Sequence, residues 1–153
     1  MGRWTGIKGA LAAAALCLCG TAQAQVPDPF ARELAAQLAR AETMPEHRGF
    51  SRVAGPFAGG LPPRLNRRFQ VTLRSGQDYE LLGVCDDRCH DMEVRLYDQD
   101  EQLVTQSDIA DVSNGVAVLH TRPPVTGLYT VDVVLYHCTG DAPCFFAFNV
   151  YGR

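Results

Sequence analysis

The sequence holds a single lysine, Lys8, and a single tryptophan, Trp4, and both fall within its first two dozen residues. Beyond them every basic side chain is an arginine, which excludes a catalytic lysine. No Walker loop, dinucleotide fingerprint or metalloprotease helix occurs, and no serine sits in a nucleophile-elbow sequence. Clustered positive charge is also missing: 14 basic side chains stand against 17 acidic ones, for a net charge of -3. That balance excludes a general binder of nucleic acid or of anionic membrane. No apolar run reaches the roughly 20 residues that a bilayer span needs. What is present is an ordinary globular mixture, 46% hydrophobic and 20% charged over 153 residues. A chain of that size forms one domain and buries well over half of its unfolded surface without help from a cofactor.

The N-terminus is organised as a leader. Arg3 and Lys8 precede an apolar stretch from Gly9 to Gly20, and Ala22-Gln23-Ala24 follows as a small-x-small cleavage signal. Residues 1–24 therefore read as a signal peptide, with Gln25 as the first mature residue. Cys17 and Cys19 follow leucines, Leu16 and Leu18, where lipoprotein processing calls for a small residue. Cleavage leaves 12 arginines against 17 acidic side chains. The mature protein is expected in a periplasm or outside the cell, with no membrane span.

Residues 25–49 read as a helix and linker. Asp28 is placed to cap a helix and Pro29 to begin it. Phe30, Leu34 and Leu38 recur every four residues with Ala31, Ala35 and Ala41 beside them, an apolar stripe on about 15 residues, and Pro45 is the expected stop. A short strand is expected at Phe50–Val53, then a turn region at Ala58–Pro63. From Arg67 the period changes to two: Phe69, Val71 and Leu73 alternate with Arg68, Gln70, Thr72 and Arg74. Tyr79 to Cys85, Met92 to Leu96, Leu103 to Thr105, Val116 to Leu119, Tyr129 to Leu135 and Phe146 to Val150 continue in strand-length pieces with turn signals between them. Six or seven strands at spacings near 12 residues predict a mostly β fold, an antiparallel β-sandwich with one face of each sheet buried and the other wet.

Three of these pieces resemble bacterial pre-peptidase C-terminal domains, in the same order over residues 50–153. Gly59-Gly60-Leu61 followed by Ser75-Gly76-Gln77-Asp78-Tyr79-Glu80-Leu81 is similar to the opening of such domains. Asp91-Met92-Glu93-Val94-Arg95-Leu96-Tyr97-Asp98 is similar to their acidic strand motif, and Gly127-Leu128-Tyr129-Thr130-Val131-Asp132-Val133 to their Gly-x-Tyr strand. The resemblance implies a jelly-roll-like sandwich of non-catalytic character. In that family the domain usually accompanies a secreted peptidase, and relatives bind collagen or other surfaces, some with calcium. No peptidase accompanies it here, and four mature cysteines are not a general family feature; together they suggest a stand-alone secreted or periplasmic subgroup.

Those cysteines are Cys85, Cys89, Cys138 and Cys144. An even number in an oxidising compartment points to disulfides. Of three pairings we favour Cys85–Cys89 with Cys138–Cys144, each closing the loop between successive strands. The alternative is a zinc site, to which His90 and His137 would be adjacent: strands that alternate in direction put both loops at one end of the sandwich. His90 and His137 otherwise read as exposed loop residues.

The oxygen ligands are grouped. Asp86, Asp87 and Asp91 crowd one loop, Asp98, Asp100 and Glu101 crowd the next turn, and Asp108 and Asp111 follow. Such oxygens suit calcium, which makes it a candidate cofactor, although aspartate also stabilises turns by bonding nearby N–H groups. The leading functional expectation is a non-catalytic binding or structural module. Its outward strand face of Arg68, Gln70, Thr72 and Arg74 suits a protein or polysaccharide of the envelope or extracellular space. The alternative is a metal-binding periplasmic protein.

Overall fold

The computed structural model describes residues 25–44, 47–108, 115–140 and 143–153. The expected signal peptide, the helix stop at Pro45 and Asp111 lie outside the described residues. One helix, α1 (Asp28–Ala41), is followed by eight strands: β1 (Ser51–Leu61), β2 (Leu65–Leu73), β3 (Tyr79–Cys85), β4 (Cys89–Tyr97), β5 (Leu103–Asp108), β6 (Val116–Thr121), β7 (Gly127–Cys138) and β8 (Cys144–Gly152). They form two antiparallel four-stranded sheets, ordered β1-β8-β3-β6 and β2-β7-β4-β5. Strands pair in a nested series, first with last, second with seventh, third with sixth and fourth with fifth. That is the order of a jelly roll, a hairpin folded over on itself into two sheets.

The alternation seen in the sequence builds the core. Val71 and Leu73 of β2, Met92, Val94 and Leu96 of β4, and Tyr129, Val131, Val133 and Leu135 of β7 point across to Tyr79, Leu81, Leu119, Phe146, Phe148 and Val150 of the opposite sheet. Phe69 packs at its rim, edge-on to Phe148 at 5.1 Å and to Phe146 at 5.9 Å.

The expected first strand and turn differ from what forms. β1 runs for 11 residues and takes in Pro56 and the Ala58–Leu61 segment that reads as a turn. It is an edge strand, so Pro56 forgoes no obligatory ladder bond, and its pairing with β8 shifts register on either side of Ala54. Gly59 and Gly60 belong to the strand because their neighbours crowd them. A Cβ on Gly60 would lie 2.7 Å from the Phe145 ring. The reversal is left to residues 62–64.

The helix begins one residue earlier than the capping pattern predicts. Pro27 occupies the cap and Asp28 is the first helical residue, with no side-chain cap bond. Asp28 still lies in the first turn, where its charge complements the helix N-terminus. Leu34, Leu38 and Ala41 are buried against Leu82 and Val84 of β3, Val116 of β6, and Ala147 and Tyr151 of β8. The outer face of the β1-β8-β3-β6 sheet is therefore covered, not wet. The other sheet keeps its outer face bare among the described residues.

Candidate functional site

The bare face is a ladder in register. Arg68 of β2 stands opposite Asp132 of β7, which stands opposite Arg95 of β4. One step along, Gln70, Thr130 and Tyr97 form the next row, and Thr72 and Leu128 the one after. Asp132 is 5% exposed and accepts a 2.7 Å hydrogen bond from Asn66 Nδ2. Arg95 donates to Glu93 Oε2 and to the Tyr136 hydroxyl, both at 2.5 Å. Arg68 lies 5.2 Å over the Tyr97 ring and donates to Glu101 Oε2 at 2.6 Å. The hydrogen bonds to Glu93 and Glu101 hold the Arg95 and Arg68 guanidinium groups above their ordinary range, so both remain charged. Two apolar contact points stand among these charges, Leu128 at 53% and Tyr136 at 38% exposure. Cross-strand partners make such a face rigid, and exposed aromatic and arginine groups give it recognition chemistry.

Of the four residues expected on this face, Arg68, Gln70 and Thr72 are there and exposed. Arg74 is not on the ladder. It lies one residue past β2, and its backbone N–H donates to the Tyr79 hydroxyl at 2.9 Å in the turn to β3.

The cysteine loops do share one end of the sandwich. Cys85 and Cys89 are bridged with a Cα separation of 5.9 Å, and Cys138 and Cys144 with one of 6.0 Å. Cys89 and Cys138 are direct partners across β4 and β7, so the two bridges are neighbours. His90 and His137 are exposed as expected, but on strands rather than loops. Their rings lie 5.4 Å apart, and His90 Nε2 is hydrogen-bonded to Thr139 Oγ1 at 2.6 Å.

The calcium candidates are divided between the two ends of β4. Asp86, Asp87 and Asp91 lie at the cysteine end, and Asp98 and Asp100 at the far end, about 30 Å away by the rise of a nine-residue strand. Asp86 is buried and accepts from Arg88 Nε and Nη2 at 3.0 and 2.9 Å and from the Phe145 backbone N–H at 2.6 Å. The Asp87 backbone N–H donates to Glu33 Oε1 of α1 at 2.8 Å. Asp98 Oδ1 accepts from the backbone N–H groups of Asp100 and Gln102 at 2.9 and 2.8 Å, an aspartate turn. Among the described residues no group of three or more His, Cys, Asp or Glu side chains is placed to hold a metal ion.

Sequence reasoning missed the polar cluster under the helix. Glu80 of β3 is fully buried, and His47 Nδ1 donates to its Oε1 at 3.0 Å, the histidine itself being 6% exposed. His120, opposite Glu80 on β6, lies 3.9 Å from Oε2. Beside them Asn149 Nδ2 donates to the Tyr151 hydroxyl at 2.9 Å, and that hydroxyl donates to Glu42 Oε1 at 2.5 Å. Burial, and then the bond to Glu42, pushes the Tyr151 phenol above its ordinary value. One signal was available: Leu82 and Val84 alternate with Leu81 and Cys85, so apolar residues occupy both phases of β3, the mark of a strand covered on both faces.

Fold and site together define a disulfide-bonded jelly-roll sandwich with one helix-covered and one bare outer face. No family model and no curated protein sequence matches the chain. Among solved structures it is similar to the crystal structure of Aeromonas hydrophila PliG, a periplasmic lysozyme inhibitor of g-type lysozyme. The TM-score is 0.44 at 11% identity, over 63% of this chain and 84% of that one. It is also similar to Salmonella Typhimurium PliG, likewise described as a periplasmic inhibitor of g-type lysozyme, with TM-score 0.42 and 13% identity over 65% of this chain and 86% of that one. No helix among the described residues is long and apolar enough to cross a membrane.

Proposed function

We propose that the chain is a secreted or periplasmic non-catalytic binding module that meets a protein or polysaccharide partner with the bare face of its β2-β7-β4-β5 sheet. The observation that carries the reading is the asymmetry of the two outer faces. One is sealed by α1, while the other holds Arg68, Arg95 and Asp132 in a fixed ladder with Tyr97, Tyr136 and Leu128 between them. A face organised by cross-strand bonds loses little side-chain entropy when a partner arrives. The two bridges and the leader-like N-terminus support an oxidising compartment. The resemblance to pre-peptidase C-terminal domains implies a jelly-roll-like sandwich, and the nested strand order is compatible with reading residues 50–153 as such a module.

The test is a binding screen of the purified protein against envelope proteins, polysaccharides and collagen, repeated with Arg68→Ala and Tyr136→Ala. A partner is expected whose affinity drops about tenfold or more in at least one variant. Silence across the screen, or a partner indifferent to both substitutions, would sink the proposal.

A further inference from the structure

On the covered side, α1 does not fill all the space above the sheet. Leu34 and Leu38 dock, but Ala31, Ala35 and Ala39, one helical turn apart in succession, leave an open groove of about 340 Å³ between the helix and β1. Pro56 and Ala58 form its other side, and Ala147, the cross-strand partner of Ala58, its floor. The volume lies at the lower end of the range for small-molecule sites, about 300–1,000 Å³.

The groove ends in polar groups. Asn149 is 2% exposed and its Oδ1 has no hydrogen-bond partner among the described residues, a costly arrangement for a buried acceptor. Gly55, at φ +105°, packs directly over that oxygen; a Cβ there would sit 2.6 Å from it. Arg52 lines the same end, exposed and without an acidic partner among the described residues. Glu42 is the third polar group, with one oxygen taken by Tyr151. Its charge disfavours a bare carboxylate and favours a head group that carries a donor beside its acid.

From these groups we infer that the groove binds a free aliphatic carboxylic acid bearing a hydroxyl or amide N–H next to the acid. The aliphatic chain lies along the alanines, the donor meets the second carboxylate oxygen of Glu42, and the carboxylate meets Arg52. The site is independent of the bare face on the opposite sheet.

The test titrates the purified protein with 3-hydroxyoctanoate, octanoate and 1,3-octanediol by calorimetry, with backbone NMR to locate the site. The hydroxy acid is expected to shift the amide signals of Ala31, Ala35, Ala58 and Ala147. Octanoate and the diol, each short of one polar contact, are expected to bind about tenfold more weakly. Ala35→Phe, at an exposed helix position, should fill the groove and abolish binding at an unchanged melting temperature. Arg52→Gln should bring the hydroxy acid down to the diol's level. The inference is overturned if the hydroxy acid does not bind, if either control binds equally well, or if Ala35→Phe binds undiminished. It is also overturned if sedimentation shows a second copy of the chain sealing the groove.

Discussion

The two sheets have the same strand count and the same handed-down alternation, yet their outer faces differ in kind. On the covered sheet, β3 is buried at every position and β8 at all but one. On the bare sheet, exposed and buried residues alternate along the second half of β2. The difference lies in what the second phase of each strand carries. Leu82, Val84, Ala147 and Tyr151 present an apolar surface to the helix, whereas Asn66, Arg68, Gln70 and Thr72 present a polar one to water. The apolar second phase is worth about 25 cal/mol for each square ångström it removes from water, enough to hold a short helix that would not persist alone. The lesson is that polarity in the second phase decides whether a sheet acquires another layer.

The sharpest way to break this contrast is at the buried hydrogen bond between His47 and Glu80. His47→Ala leaves the Glu80 carboxyl group buried without that partner, and a loss of about 3 kcal/mol or more is expected in chemical denaturation. A His47→Ala, Glu80→Gln double variant that lost as much again would refute the pairing. Leu34→Ala removes a fully buried contact from the helix side, with an expected cost of about 2–5 kcal/mol; unchanged amide exchange at Leu82 and Val84 would show that the cover does not protect the sheet. Replacing Cys138 and Cys144 by serine removes a bridge of sequence separation 6 and should cost about 2 kcal/mol.

Smaller effects sharpen the contrast further. The Tyr151 phenol is raised in the folded protein, so its share of stability is complete below pH 10, the ordinary tyrosine value, and is lost as pH rises above it. Tyr151→Phe should flatten that alkaline decline in melting temperature. At the other extreme, Arg68→Ala on the bare face should leave the melting temperature unchanged, since both partners of its ion pair are largely exposed; a fall of several degrees would mean that the ladder is structural.

The sandwich was legible because its strands obey a period of two, and Phe69, Val71 and Leu73 point inward as that period requires. β1 was not legible over its full length because Pro56, Gly59 and Gly60 carry turn chemistry in isolation. Only the edge position and the packing of Phe145 against Gly60 make them strand. Of the candidate site, Arg68, Gln70 and Thr72 followed from alternation, while Arg74 fell past the strand end. The rest of the ladder, Asp132, Arg95 and Tyr136, comes from β4 and β7, and a register between strands is not written in any one of them. His47 and Glu80 are 33 residues apart, and nothing local joins them.

Each bridge links a cysteine to the next cysteine along the chain. A polypeptide threaded N-terminus first into an oxidising compartment thus presents Cys85 with Cys89 before either of the later pair has arrived. For a chain exported in that way, consecutive pairing would let the order of export itself select the correct partners, with little left for a disulfide-shuffling catalyst to repair.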